Sequence, residues 1–282
     1  MLKTRIITAL VILPIVLLAL FFFPRWAWAL FAAVVMGAAT WEWARLSQFR
    51  AVFRTAFFAL VAVLAALSAI AYLDPAGAAF GSLALVVLLV AAVFWLVVAP
   101  CWLLAEWQVR SAYLMALTGL AVIVPTWIAL LFLRDAGPWV ILTFAAIVWI
   151  ADIAAYFAGK RFGRHKLAPA ISPGKTVEGV IGGLCAVAAY YFLWRWLAEQ
   201  LPGGMWFNLL PGQGVGLLAV FLLLALFSVM GDLFESWMKR GAGLKDSSNL
   251  LPGHGGVLDR IDALTATLPL ASLYLILLVK GV

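Results

Sequence analysis

The sequence predicts an all-α, polytopic membrane protein of about nine transmembrane helices, on three observations. Hydrophobic residues make up 67% of the 282 residues and charged residues only 11%, whereas roughly a quarter of a soluble domain is charged. Mean hydropathy is +1.12. Apolar runs of about 18 residues or more recur along the whole length, each long enough to cross a hydrocarbon core of about 30 Å as a helix. The period-2 alternation of a membrane β-barrel is absent.

The expected spans are about 5–24, 26–46, 55–73, 79–99, 111–133, 138–158, 176–198, 214–237 and 261–280, by apolar run length. Lys3 and Arg5 precede the first. Ala27-Trp28-Ala29 offers an A-x-A-like cleavage site, but the apolar stretch exceeds a signal h-region and Phe, Trp and Arg crowd the site, so it reads as a retained span. Breakers separate the later spans: Pro24-Arg25, Asp74-Pro75, Gly137-Pro138, Pro202-Gly203-Gly204 and Pro211-Gly212. The division expected is 1–137, five N-terminal spans, and 138–282, a catalytic membrane region with polar loops.

Nine spans place the termini on opposite sides, and the basic residues decide the orientation. With the N-terminus cytoplasmic and the C-terminus outside, 15 of the 19 Lys and Arg lie on the cytoplasmic side, leaving Arg25, Arg134 and Lys280 outside and Arg195 in or near the seventh span. The net charge of +7 therefore reflects basic cytoplasmic loops, and no nucleic-acid partner is expected. Cys101 and Cys185 lack metal-ligand spacing and read as buried, inert thiols.

Acidic residues are unevenly placed. Glu42, near a helix end, is expected to snorkel to the interface. From Asp152 onward acids enter the spans themselves: Asp152, Glu178, Asp232 and Glu235. A charge at membrane depth is costly and usually faces a polar cavity or a partner.

Three segments carry chemistry. On a helix, Asp232, Glu235, Ser236 and Lys239 fall at i, i+3, i+4 and i+7, on one face, with Lys239 and Arg240 suiting the negative end of the helix dipole. The stripe serves either as an internally neutralised packing face or as a cavity wall with a carboxylate deep and cations at the rim. In Pro252-Gly253-His254-Gly255-Gly256 the glycines permit left-handed backbone and close approach of N–H groups to an anion. Asp259 and Asp262 follow at i, i+3, hard-oxygen ligands suited to Mg²⁺ carrying a nucleotide phosphate. With one histidine and no cysteine nearby, zinc is excluded. The third segment runs from Asp152 to Gly183. Asp152, Tyr156 and Lys160 share a helix face, and Lys160, Arg161, Arg164 and Lys166 form a basic loop. Gly174-Lys175-Thr176 is not a P-loop, because Pro169 stands where its first glycine belongs and no strand is expected before it. Ser172, Lys175 and Thr176, at the start of the seventh span, suit anion binding at a helix N-terminus.

Residues 236–262 resemble the signature of the phosphatidate cytidylyltransferase (CDP-diacylglycerol synthase) family, S-x-x-K-R, then K-D, P-G-H-G-G and L-D-R-x-D. The matching residues are Ser236, Lys239, Arg240, Lys245, Asp246, Pro252, Gly253, His254, Gly255, Gly256, Asp259, Arg260 and Asp262. Ser172, Pro173, Lys175, Thr176, Glu178 and Gly179 resemble a second block of the same family. The resemblance implies an integral, bacterial-type inner-membrane enzyme that transfers a cytidylyl group from CTP to phosphatidic acid, releasing pyrophosphate, with Mg²⁺ and a second cation such as K⁺. It implies catalytic roles for Asp232, Asp259, Asp262, Lys239 and Arg240, with the three aspartates as metal ligands. Ser172, Lys175, Thr176, Ser236, Lys245, His254 and Arg260 would bind substrate. The bilayer holds the lipid substrate and the nucleotide comes from the cytosol, so the site is expected in a polar cavity lined by the last helices and facing the cytoplasm.

Two other readings predict different features. A polytopic transporter predicts repeated halves and broken helices, and no internal repeat is present. Another lipid-phosphate enzyme is the second: a polyprenol kinase, or a CDP-alcohol phosphotransferase, which needs a D-G-x-x-A-R motif absent here. Small residues such as Gly182-Gly183 suit packing within one chain or between two copies of a homodimer.

Overall fold

A computed structural model describes residues 2–75, 77–200 and 214–279. Among the described residues nine long helices follow one another: α1 (Leu2–Phe22), α2 (Arg25–Leu46), α3 (Ala51–Leu73), α4 (Ala78–Leu104), α5 (Ala112–Ala136), α6 (Pro138–Phe162), α7 (Val177–Gln200), α8 (Val215–Gly241) and α9 (Leu258–Val279). Among the described residues, α2 to α9 are each long and apolar enough to cross a membrane, and α1 adds the shorter apolar stretch Ile6–Phe22. The expected order holds, with ends displaced by a few residues. The breakers Pro202-Gly203-Gly204 and Pro211-Gly212, and Lys280, lie outside the described residues.

Successive helices reverse direction, so their ends gather into two layers. At one end Arg25 pairs with Asp135, which also accepts from the Tyr72 hydroxyl at 2.8 Å, and Arg134 donates to the Phe23 carbonyl. The other end carries the polar connections 163–176 and 242–257 and is called the site end below. Helix α9 packs on α8 and also on α5, α4 and α2, so both halves of the chain contribute to one core.

Two local features depart from the sequence reading. The connection before α7 is an antiparallel hairpin, β1 (Lys166–Ala168) with β2 (Ser172–Thr176), pairing Lys166 with Thr176 and Ala168 with Ser172. Pro169, Pro173 and Gly174 bar a helix here, and backbone left extended finds its partners in a second strand. Ser172, Lys175 and Thr176 therefore lie on β2, not on the opening turn of a span. The other departure is α4, which runs to Leu104 through a π-helical turn at Phe94–Val98. Such turns shift a helix's register. Here adjacent Phe94 and Trp95 both face inward.

The cysteines correct an expectation: Cys101 and Cys185 are free but exposed on the protein surface. An apolar span hides side chains from water without hiding them from lipid. Between α6 and α7, small residues permit close packing within the chain: a Cβ on Gly183 would lie 3.0 Å from the Ala151 carbonyl oxygen, and one on Gly182 would collide with the Ala158 methyl.

Overpacking this contact is predicted to cost about 1–3 kcal/mol. Gly182→Val should lower the thermal midpoint of detergent-purified protein by several degrees. Gly37→Ala, where nothing lies within 4 Å of the new methyl, should leave the midpoint unchanged or raise it.

Candidate active site

The rotation of α8 is fixed from both sides. Phe234 is buried among Phe94, Trp95 and Trp102 of α4, with ring centroids 5.4, 5.7 and 5.7 Å away. On another side Gly231 abuts α9, where a Cβ would stand 2.7 Å from the Asp262 carbonyl oxygen. The stripe Asp232, Glu235, Ser236 and Lys239 is thereby held toward α9 and β2.

Its charges sort into two clusters. In the inner one, Lys175 of β2 pairs with Asp232 at 2.7 Å and also donates to the Val229 carbonyl. Ser236 donates to Asp232 at 3.2 Å. Asp152 of α6 and Asp262 of α9 are both near enough for their charges to act on Asp232, and Asp262 accepts from the Ala263 amide at 2.8 Å.

In the outer cluster the Lys239 ammonium lies 2.6 Å from Glu235 and 2.6 Å from Asp259 Oδ1, and all three side chains are buried. Asp259 Oδ2 accepts from the Ser247 amide (2.9 Å), the Ser247 hydroxyl (2.9 Å) and the Gly256 amide (2.8 Å). Two carboxylates around one ammonium leave a net negative charge, which these donors offset.

The glycine–histidine loop supplies part of that donor set. Gly253 and Gly255 adopt φ of +76° and +82°, a region that L side chains rarely enter. The loop closes through Leu251 N to the Gly255 carbonyl at 2.8 Å. One of its amides, that of Gly256, does approach an anion, and that anion is the protein's own Asp259. His254 is half-buried, with Nδ1 lacking a hydrogen-bond partner.

The residue that sequence reasoning misplaced is Glu42. It does not snorkel. It is fully buried, and four donor groups converge on its carboxylate: Oε1 accepts from Ser248 Oγ (2.5 Å) and Val257 N (2.9 Å), and Oε2 accepts from Leu258 N (2.6 Å) and lies 3.1 Å from Ser247 Oγ, whose single proton is shared with Asp259 Oδ2. Its position one turn from the end of α2 suggested escape to the interface, but the 247–258 connection folds over that end. Two adjacent serines and the orphan amides opening α9 were the available signal for a missing acceptor.

Arg240, Lys245 and Arg260 are exposed at the site end, Arg240 reaching the Ile171 carbonyl at 3.5 Å. Ser172 is half-buried, and the buried Thr176 accepts from the Gly179 amide at 3.1 Å, capping α7. Glu178 holds the 164–165 turn through the amides of Arg164 and His165 and through His165 Nδ1 at 2.6 Å. Tyr156 and Lys160 lie on the outer face of α6, the ammonium 5.9 Å above the ring. A cavity of about 770 Å³ opens at this end between Arg50, Arg110, Trp107 and Trp237. It lies on the face of α8 opposite the charged stripe, so it is not the cavity expected around the aspartates.

Among the described residues, no three carboxylates, histidines or cysteines are gathered closely enough to share one ion. The donor chemistry nevertheless fits a hard cation. Glu235 Oε1 is buried without a hydrogen-bond partner, and Asp262 repels both Asp232 and Glu235. Mg²⁺ commonly takes one or two carboxylates and completes its shell with substrate phosphate and water.

A model of the cytidylyltransferase family matches residues 3–278. A phosphatidate cytidylyltransferase of Pseudomonas aeruginosa is 43% identical over 277 residues, 95% of this chain and 95% of that one. One of Haemophilus influenzae is 36% identical, covering 97% and 98%. One of Staphylococcus aureus is 45% identical over 148 residues, about half of each chain.

Replacing Lys239 by Met should destabilise the protein by about 3–5 kcal/mol, because two buried carboxylates lose their shared cation. Adding Glu235→Gln should recover part of the lost thermal midpoint, since it removes one of the stranded charges.

Proposed function

Since the chain belongs to the cytidylyltransferase family, we propose that its site-end carboxylates and cations perform CTP-dependent synthesis of CDP-diacylglycerol from phosphatidic acid. A phosphate oxygen of phosphatidic acid attacks the α-phosphorus of CTP. The bond from that phosphorus to the bridging oxygen breaks, and pyrophosphate leaves. A phosphate dianion is already a competent nucleophile, so no side chain, His254 included, is needed as a general base. The demands are charge neutralisation and in-line placement.

One observation carries the assignment: Asp232, Asp262 and Lys175 from three separate elements meet beside the buried Lys239 pair at the end where the exposed arginines gather. Asp232 and Asp262 hold Mg²⁺, which when bound neutralises phosphate charge and polarises the phosphorus. A second cation such as K⁺ belongs beside it. Lys175 and Lys239 already sit against carboxylates and exchange them for phosphate oxygens when the triphosphate arrives. That exchange releases Asp259 Oδ1, otherwise held by Lys239, as a further ligand. Arg240, Lys245 and Arg260 bind phosphate at the rim, with Ser172, Thr176, Ser236 and His254 completing the substrate pocket.

The chain is an integral membrane protein, and apolar outer helix faces give the diacylglycerol tails access from the bilayer. The site faces the cytoplasm of a bacterial-type inner membrane, the N-terminus on the same side; the clustering of basic residues at this end supports that orientation.

Incubating the purified chain with phosphatidic acid and CTP labelled at the α-phosphate should place label in a lipid; label at the γ-phosphate should appear only in pyrophosphate. A lipid labelled from the γ-position would mean kinase chemistry instead. Removing divalent cations with EDTA should abolish turnover, and Mg²⁺ should restore it. Asp262→Asn should lower kcat by about a hundredfold or more with the thermal midpoint maintained.

A further inference from the structure

We infer that Glu42 is a positioning residue for the reaction: from an N-terminal span it clamps the turn that opens α9 and so fixes where Asp259 and Asp262 stand. The inference rests on the reading of those aspartates as the reaction site.

The clamp is a continuous polar chain. Glu42 holds both Ser247 and Ser248 and the amides of Val257, which precedes α9, and Leu258, its first residue. Ser247 lies between Glu42 Oε2 at 3.1 Å and Asp259 Oδ2 at 2.9 Å, and Asp259 reaches Lys239 at 2.6 Å. The polar chain ties α2, more than 200 residues away, to three consecutive elements at the C-terminal end: α8, the 242–257 connection and α9. Helix α1 adds a tether, with the Thr8 hydroxyl donating to the Pro252 carbonyl at 2.8 Å. The first amides of a helix have no partner within it, and a carboxylate placed there also meets the positive end of the helix dipole. Here that carboxylate comes from another helix.

Glu42 is itself rigidly presented. The next residue, Trp43, is buried and donates through its indole nitrogen to the Met115 carbonyl of α5 at 2.9 Å, which fixes the rotation of α2. The loop is shaped to this carboxylate: a Cβ on Gly256 would overlap both Glu42 Oε1 and Ser247 Oγ.

The donor set distinguishes a carboxylate from its isosteric amide. Each oxygen of Glu42 receives one serine hydroxyl and one backbone amide. A hydroxyl can turn and accept, but a backbone N–H cannot. Whichever way a glutamine lies, its NH₂ faces the amide of Val257 or of Leu258, so Glu42→Gln removes a hydrogen bond and opposes two donors. Ser248→Ala leaves both amides paired. A merely space-filling role would tolerate the first change better than the second.

The test uses the full chain in detergent or nanodiscs, comparing wild type, Glu42→Gln, Ser247→Ala and Ser248→Ala. It reads kcat, the KM for CTP and for phosphatidic acid, the thermal midpoint, and amide hydrogen exchange at residues 256–258. Glu42→Gln is expected to lower kcat by about tenfold to a hundredfold, with both KM values changed less than about threefold and the midpoint within a few degrees. Exchange at Val257 and Leu258 should accelerate, and Ser248→Ala should lose far less activity. Wild-type kcat in Glu42→Gln would overturn the inference, as would a kcat loss that only follows a collapsed midpoint. If Glu42→Gln cannot be purified, Ser247→Ala decides: it cuts the link between Glu42 and Asp259 while leaving three other donors on each carboxylate, and unchanged kcat there overturns the inference too. Were the wild type to turn over no CTP, the reading of the reaction would fall, while the exchange rates would still report whether Glu42 holds the turn.

Discussion

The buried ammonium of Lys239, held at 2.6 Å by Glu235 and at 2.6 Å by Asp259, is the interaction on which the site end depends. Three charges removed from water are tolerable only if every remaining lone pair and proton finds a partner, because an uncompensated buried charge is strongly destabilising. Much of the local structure follows from that requirement. The Gly256 amide and the Ser247 amide and hydroxyl converge on Asp259 Oδ2. Gly255 at φ +82° turns the chain so that its neighbour's amide can point there.

The same requirement explains why the two halves of the chain cannot be separated chemically. The 242–257 connection has few apolar side chains with which to pack, so its position comes from polar contacts to Glu42 on α2 and Thr8 on α1. The aromatic cage of Phe94, Trp95 and Trp102 holds α8 through Phe234, the residue before Glu235. N-terminal helices that look like plain membrane anchors thus set the rotation of α8 and the start of α9.

The inner cluster is arranged differently. Lys175 pairs with Asp232, and Asp262 and Asp152 stand near and share the field of that same lysine. Excess negative charge beside exchangeable lysines suits a site that receives a divalent cation together with a polyphosphate. The outer network, satisfied except at Glu235 Oε1, fixes the scaffold, and the under-neutralised one beside it is suited to ligands. Asp259 is shared between the two roles, one oxygen committed to the loop and the other to Lys239.

Much of this was legible in the sequence. Apolar run length gave the order of the long helices, eight of which among the described residues are long and apolar enough to cross a membrane, because a helix that must satisfy its own backbone in lipid has to be about 20 residues of hydrocarbon-like side chains. Spacing placed Asp232, Glu235, Ser236 and Lys239 on one face, because helical geometry is local. Which residues pair across helices was beyond periodicity. Glu42 looked like an interfacial acid and the cysteines like core residues, since burial and partners depend on what folds over each position, for Glu42 a connection more than 200 residues away. The sequence by itself determined the membrane class, the order of the spans and the family. Only the tertiary structure decided that Lys239 lies between two buried carboxylates and that Glu42 reaches the 242–257 connection, because hydrogen-bond partners of buried charges are settled by packing in three dimensions.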